Sequence, residues 1–201
     1  MRLRIFIDYW NFTISSQESK QNKNYRVDYK KLSPWILNKT KELLNYSDIT
    51  FEETRVYLSY NPRKIEDRPL KNWATNDLDR FPGVKAVLME RKIKNTPVCP
   101  NCHKELSPCP YCGTPTNGTI EKGVDTTLVT DLIGFAWENT WEVAVLLSSD
   151  RDFIPAMELL NKKSKKVING HFPPKGMELA KNCWASFDIS KALDEIEFVK
   201  K

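Results

Sequence analysis

The run WEVAVLLSS, residues 141–149, constrains the fold of this chain more than any other segment. Its aliphatic residues follow one another without alternating polar positions, which is the pattern of a strand buried on both faces. The run LRIFID, residues 3–8, is shorter and has the same character. Strands of this kind occur in parallel sheets that are covered by helices on both sides. Both runs therefore predict strands of such a sheet.

Strand and helix patterns alternate along the rest of the chain. Further strands are predicted over residues 54–60, 84–89, 165–170 and 184–189, and helices over 27–44, 123–139, 152–163 and 174–182. Pro34 is expected in the first turn of its helix, and a weakly helical, charged segment reaches about Arg80. This alternation predicts an α/β domain with a mostly parallel central sheet. Ligands of open parallel sheets bind outside the carboxyl ends of the strands.

Composition and charge limit the classes of function. The 201 residues suit one domain with at most a small insert, and 40% hydrophobic content is that of a globular protein. No apolar run is long enough to span a bilayer and the N-terminal apolar run is too short for a signal peptide, so we expect no membrane partner and a reducing, cytoplasmic location. The net charge of +5 permits a polyanionic partner without requiring one.

Four of the five cysteines form two closely spaced pairs, Cys99-x2-Cys102 and Cys109-x2-Cys112. Two such turns facing each other complete a tetrahedral zinc site, which would be structural because no ligand position stays open. The alternatives are two disulfides or free core cysteines, which a reducing location and a polar, Pro-rich segment disfavour. Residues 96–117 are therefore predicted to form a zinc-ribbon insert within a domain spanning residues 1–201. His103 is read as a bystander to this site.

Aspartates stand where the predicted strands end. Asp8 ends the first strand and Asp150 ends the most apolar one, with Asp152 two residues later, while Asp125 begins the helix before that strand. If the two strands are neighbours, Asp8 and Asp150 meet at the carboxyl edge, and gathered carboxylates favour a hard divalent cation. Asp152 can equally be a helix cap. Asp131, in the middle of the apolar stripe of its helix, is interpreted as a structural, hydrogen-bonded acid.

Together these residues resemble the motifs of a known family. D-x-x-N (Asp8, Asn11), K-G-V-D (residues 122–125) followed by a second acid, and S-S-D-R-D-F (residues 148–153) are similar to the NYN domain, in particular to its LabA-like bacterial group. That domain is part of the PIN-like nuclease superfamily. A cysteine insert before K-G-V-D also resembles members of this group. Two departures concern the shape of the substrate channel: Tyr9 and Trp10 follow the first acid where many members have glycine, and Ser149 replaces the glycine of S-G-D.

The resemblance implies a three-layer α/β/α sandwich with an acidic site for Mg²⁺ or Mn²⁺. Asp8, Asp125 and Asp150 match the metal-binding and catalytic acids, with Asp152 as the fourth. Asn11 and Lys122 match motif positions that bind substrate or orient the site. Arg151 is expected to contact a phosphate because it lies between two of the acids in the sequence.

The implied activity is that of a metal-dependent nuclease acting on nucleic acid, with RNA as the expected substrate. The alternative is a catalytically weak NYN-type module that binds RNA or a protein partner. Tyr9, Trp10 and Phe12 beside the first acid could stack on bases, although packing is the commoner role of such aromatics. Protein partners, a homo-oligomer included, stay open at this stage.

Overall fold

The computed structural model describes residues 1–116 and 118–199. The predicted end of the insert at Asn117 and the last two residues of the predicted domain, Lys200 and Lys201, lie outside the described residues. The elements run in the order β1 (Arg2–Asp8), α1 (Tyr9–Ser19), α2 (Tyr29–Leu44), β2 (Thr50–Tyr60), α3 (Arg68–Asn76), β3 (Val84–Glu90), β4 (Lys92–Ile93), β5 (Thr119–Ile120), α4 (Val124–Trp137), β6 (Val143–Leu147), α5 (Ile154–Lys162), β7 (Lys166–His171), α6 (Met177–Asn182) and β8 (Ala185–Asp188).

Six of these strands form one parallel sheet in the order β3-β2-β1-β6-β7-β8. The two most apolar strands, β1 and β6, are neighbours at its centre, and every residue of β6 is buried. The predicted α/β class with a parallel central sheet is therefore confirmed. The short strands β4 and β5 pair antiparallel outside this sheet and form the base of the cysteine segment.

Helices cover both faces of the sheet, which gives two separate apolar cores. On β1 the odd-numbered Leu3, Ile5 and Ile7 pack with α1 to α3, whereas Phe6 packs on the opposite side with α4 to α6. Each fully buried side chain of this size stabilises the fold by roughly 1.5–3 kcal/mol. The three layers hold the central strands in a fixed register, with Ile7 of β1 opposite Leu147 of β6.

Two features of the helices differ from the sequence-based expectations. The helix α1 is not predicted by the pattern, because its side chains do not separate into a polar and an apolar face, and it begins directly after Asp8, whose carboxylate caps it. The prediction that Pro34 lies in the first turn of α2 is wrong. The helix begins at Tyr29, where Asp28 accepts a hydrogen bond from the amide of Lys30, and Pro34 falls in its second turn.

None of the helices in the described residues is long and apolar enough to cross a membrane.

Replacing Gly170 by alanine is expected to lower the free energy of unfolding by about 1–3 kcal/mol. A Cβ at this position of β7 would lie 2.4 Å from Leu147 and 2.9 Å from Phe187, which come from the two neighbouring strands. Gly134→Ala is the matched control, because a Cβ there meets nothing within 4 Å and the helix α4 gains stability of about 0.5–1 kcal/mol. Urea unfolding of both variants measures the difference; equal effects would contradict the close approach at Gly170.

Candidate active site at the carboxyl edge of the sheet

Asp8 lies at the carboxyl end of β1 and is 7% exposed. One of its carboxylate oxygens, Oδ1, accepts a hydrogen bond from the backbone amide of Asn11 at 3.4 Å, which caps α1. The other, Oδ2, accepts a hydrogen bond from the hydroxyl of Ser148 at 3.0 Å. Because Ser148 directly follows β6, this bond joins the ends of the two central strands.

Asp150 and Asp152 lie in the turn that leads from β6 to α5. The amide of Asp150 donates to Ser148 Oγ at 3.1 Å, and Asp150 Oδ1 accepts from the amide of Asp152 at 2.9 Å. The capping carboxylate of this turn is thus that of Asp150, and Asp152 is an exposed residue of its first turn. Asp188 caps the turn after the edge strand β8 in the same manner. Capping is therefore a structural role of strand-end aspartates in this protein.

Asp125 joins the same electrostatic cluster from the first turn of α4. Partial burial raises its pKa, and the carboxylates of Asp150, Glu121 and Asp152 act in the same direction. Burial likewise raises the pKa of Asp8 to about 7, and Asp125 and Asp150 add to the effect, while hydrogen bonds from Ser148 and Asn11 oppose it. Asp8, Asp125 and Asp150 therefore lie near enough to one another to repel, and Asp152 repels Asp125.

Two residues of this edge are not predicted from the sequence. Glu121 lies beside the cluster, and its Oε2 accepts hydrogen bonds from Ser59 at the end of β2 and from Arg91 at 3.3 Å. Ser148 bridges Asp8 and Asp150 as described above. Both residues lie inside or next to the quoted motifs, which was the available signal. Their contacts with Asp8, Ser59 and Arg91 could not be predicted, because those residues come from distant segments.

Of the predicted substrate-binding residues, Asn11 and Arg151 line a cavity beside Asp150. The amide of Ser149 donates to Asn11 Oδ1 at 2.9 Å, which leaves the Nδ2 donor of Asn11 for another partner. Lys122 and Arg151 are exposed. A cavity of about 540 Å³ opens beside Asp150 and is lined by Asn11, Ser149, Asp150, Arg151, Pro174, Gly176, Met177 and Glu178.

Gly176 makes room for Ser149. A Cβ on Gly176 would lie 3.0 Å from the Ser149 backbone and 2.9 Å from its hydroxyl, and Gly176 has a φ of +78°, which other residues rarely adopt. The loop after β7 therefore crosses close above a serine where related motifs have glycine.

Asp131 has a structural role, which confirms its interpretation as a hydrogen-bonded acid. Its Oδ2 accepts from Arg55 and from the hydroxyl of Tyr57, both at 2.8 Å. The Arg55 guanidinium also stacks on Phe135, 4.5 Å from the ring centre. This network lies between α4 and β2, and it keeps Asp131 out of the acidic cluster.

The cysteine segment forms two turns with the same backbone hydrogen bonds. Cys99 donates to the carbonyl of Lys104 and accepts from the amide of His103, both at 2.9 Å, and Cys109 does the same with Thr114 and Gly113 at 2.8 Å. His103 and Gly113 share a left-handed backbone conformation. His103 therefore occupies the turn position of a glycine. Cys183, outside this segment, is partly buried against the core, and burial raises the pKa of its thiol to about 12.

The amides of Cys102 and Asn101 point at the Cys99 thiol and lower its pKa. For Cys112 the hydroxyl of Thr114 is the main cause of a lowered pKa. Both turns thus favour thiolates, which are the form that binds metal.

Neither predicted metal site is a converged group in this structure. Over residues 1–116 and 118–199, no three His, Cys, Asp or Glu side chains come together in a group that could hold a metal ion. What the structure shows is the placement of the acids along one edge and the two matching cysteine turns. Metal binding at either place stays a prediction.

Comparisons with known proteins agree with this architecture. The family profile described as the NYN domain matches residues 2–189. A protein of unknown function from Vibrio parahaemolyticus has a similar crystal structure, with a TM-score of 0.57 and 14% sequence identity over 98% of this chain and 96% of that one. This likeness concerns the fold alone. No curated protein matches the chain.

Asp8→Asn is expected to stabilise the metal-free protein at neutral and alkaline pH. The folded state keeps a proton on Asp8 up to about pH 7. An unfolded chain releases that proton near pH 4, so stability falls as the pH rises from about 4 to about 7. Asparagine removes this loss, and its free energy of unfolding should exceed that of the wild type by about 2–4 kcal/mol above pH 7. Urea unfolding in EDTA across this pH range tests it; a difference that does not change with pH would contradict the prediction.

Proposed function

The chain belongs to the NYN domain family, and from this premise we propose that it is a metal-dependent nuclease, an endoribonuclease that hydrolyses phosphodiester bonds. The observation that supports the proposal is that Asp8 and Asp150 follow the two central strands at their carboxyl edge, with the charge of Asp125 acting on Asp8 and the charges of Asp150 and Asp152 acting on Asp125. This is the edge where open parallel sheets bind their ligands. The family lies within the PIN-like nuclease superfamily, whose members generally use divalent metals.

The donor chemistry of the edge fits Mg²⁺ or Mn²⁺. Carboxylate oxygens are the ligands these hard cations prefer, and the mutual repulsion of Asp8, Asp125 and Asp150 is what a bound cation would relieve. Asp8 is the buried anchor of the set, and Asp152 is its exposed outer member. A cation held there would lower the pKa of a bound water and neutralise charge on the scissile phosphate.

The surrounding residues would hold the substrate. Asn11 presents an N–H donor, since its carbonyl oxygen is already bonded to the amide of Ser149, and it therefore suits a phosphate oxygen. The exposed cations Lys122 and Arg151 would contribute to binding the phosphate backbone. Attack of water on the phosphorus with cleavage of the P–O3′ bond would leave a 5′-phosphate and a 3′-hydroxyl, and the carboxylates need only position the reactants.

Asp150→Asn is expected to reduce RNA cleavage roughly 100-fold or more, because a lost metal ligand removes several kcal/mol of transition-state stabilisation. Purified protein is incubated with single-stranded and structured RNA in Mn²⁺ and in EDTA, and Mn²⁺ binding is measured by calorimetry. Wild-type cleavage should disappear in EDTA.

Asp188→Asn is the matched control. Asp188 ends a strand of the same sheet and caps the following turn as Asp150 does, but it lies on the edge strand β8. Its substitution should leave cleavage and Mn²⁺ binding unchanged. Cleavage that persists in EDTA, or equal effects of the two substitutions, would refute the mechanism.

A binding module with little activity is the second candidate. It is favoured by one observation: within the described part of the chain, the acids do not form a converged metal group. Such a module would bind RNA without cleaving it. Its Asp150→Asn variant should then bind RNA as tightly as the wild-type protein does. The cleavage assay above separates it from a nuclease.

The cysteine segment is proposed to be a structural zinc insert like that of the LabA-like group. The support is the pair of matching turns at Cys99–Cys102 and Cys109–Cys112, each with donors aimed at a thiol. Zinc between them would order a segment that is too polar to fold by itself. The reducing cytoplasm remains the expected location, since thiolates bind zinc there without forming disulfides.

Cys102→Ser is expected to reduce the zinc content of the purified protein from about one ion per chain to a small fraction of that. Cys183→Ser is the control, because that thiol packs against the core away from both turns. Zinc released by a thiol reagent is quantified with a colorimetric chelator. Zinc loss in both variants, or in neither, would contradict the assignment.

A further inference from the structure

A large cleft lies on the sheet face opposite α4, beside α1 and α3. Its volume is about 860 Å³, which is within the range of pockets that bind small molecules. Its walls are rich in aromatic side chains from separate parts of the chain: Tyr9, Trp10, Tyr25, Tyr29, Trp73 and Phe81. The cleft is distinct from the cavity beside Asp150, and none of the four predicted acids lines it.

The aromatic rings of the cleft are packed against one another but not fully enclosed. Trp73 lies 5.9 Å from Tyr9 and 5.6 Å from Tyr29, measured between ring centres. Tyr9, Trp10 and Trp73 are all only partly buried. Phe12, by contrast, is 1% exposed and packs in the core. The sequence-based alternative of base stacking is therefore open to Tyr9 and Trp10 but not to Phe12.

The charges around the cleft do not favour a phosphate backbone. Acidic Asp28, Glu66 and Asp67 line it together with basic Arg26 and Lys30, so the signs are mixed. Polar atoms of Thr13 and Gln17 add neutral donors and acceptors. A ligand that fits flat aromatic walls and mixed hydrogen-bonding groups is itself flat, uncharged and polar at its edges. Unpaired nucleobases have these properties.

Trp10 connects this cleft to the acidic edge. It lies two residues after Asp8, and its indole N–H donates to the carbonyl of Ser59 at 2.9 Å. The guanidinium of Arg91 lies 5.4 Å from the Trp10 ring centre, and it also binds Glu121 at 3.3 Å, beside Asp125. One wall of the cleft is thus shared with the edge where a phosphate would bind.

The C-terminal segment forms the outer wall. Phe198 and Val199 line the cleft, and the amide of Phe198 donates to the carbonyl of Arg26 at 2.9 Å. Val27 pairs with Glu197 in an isolated antiparallel bridge. Phe198 is 49% exposed, so this wall is held by backbone hydrogen bonds more than by packing.

We propose that the aromatic cleft is a nucleobase-binding subsite, which takes an unpaired base of a single-stranded nucleic acid whose phosphate lies at the acidic edge. The position of that phosphate rests on the proposed function, whereas base binding is measurable without cleavage. Tyr9 and Trp10, the bulky residues that follow Asp8 where many NYN domains have glycine, then determine which nucleotide of the strand is bound.

The test uses the Asp150→Asn protein in EDTA, so that no cleavage takes place. Binding of a short oligoadenylate is compared by calorimetry with binding of an abasic oligomer of the same length. Stacking of one base on aromatic side chains predicts a difference in Kd of about 5-fold to about 150-fold. Trp73→Ala should remove most of this difference. Trp137→Ala, which changes a 52% exposed tryptophan of α4 on the other sheet face, should retain it.

A second measurement leaves the cleft unmutated, so it tests the proposal even if the Trp73→Ala variant does not fold. The indole N–H signals of Trp10 and Trp73 in NMR spectra should shift on addition of oligoadenylate, and those of Trp137 and Trp184 should not. Equal affinity for the abasic oligomer, or shifts confined to Trp137 and Trp184, would overturn the proposal. So would shifts of Trp10 and Trp73 that follow protein concentration alone, since a second copy of the chain would then occupy the cleft.

The two proposals fail in different ways. If binding depends on the base but the wild-type protein never cleaves RNA, the subsite proposal is supported and the nuclease proposal is refuted. If the protein cleaves RNA in a metal-dependent way but binds base-containing and abasic oligomers equally, the nuclease proposal is supported and the subsite proposal is refuted.

Discussion

The hydrogen bond from Ser148 to the buried carboxylate of Asp8 holds together the ends of the two central strands. It is possible because β1 and β6 run parallel and pair with Ile7 opposite Leu147, which brings the next residue of each strand side by side. The helices on both faces keep this register, since any slip would move buried side chains to the wrong core. The acidic edge, the turn at Asp150 and the Asn11–Ser149 contact all follow from this arrangement.

The carboxylates of Asp8 and Asp150 stabilise the fold as helix caps and destabilise it through charge repulsion. Asp8 and Asp150 each cap the helical turn that follows their strand, which satisfies backbone amides. Burial is the main cause of the raised pKa of Asp8, and repulsion from Asp125 and Asp150 adds to it. A cap requires one acceptor, and Asp188 shows that a single aspartate suffices. Asp125 and Asp152 lie in the first turns of helical segments that they do not cap, so capping does not account for these two acids.

The layered fold could be predicted because its strands are buried on both faces and leave continuous apolar runs. Asp8 and Asp150 could be placed at one edge by the same reasoning, since parallel strands end together, whereas Asp125, in the first turn of α4, could be assigned to the site only from the family resemblance. The helix α1 could not, because it lacks an amphipathic pattern and depends on a cap from Asp8. Glu121 could not be assigned either, since its partners Ser59 and Arg91 come from distant segments. A cap is one of two equal interpretations of Asp152, and local backbone geometry gives that role to Asp150 instead.

The capping role of the central aspartates has a consequence for how such domains diverge. Asparagine caps a helix about as well as aspartate, and it carries no charge to repel its neighbours. A single Asp→Asn change at Asp8 or Asp150 would therefore leave the fold intact or more stable while removing a negative charge from the edge. In a nuclease with this site, stability therefore does not preserve the acids, and only selection for the reaction does. One such substitution would convert that nuclease into a binding-only protein.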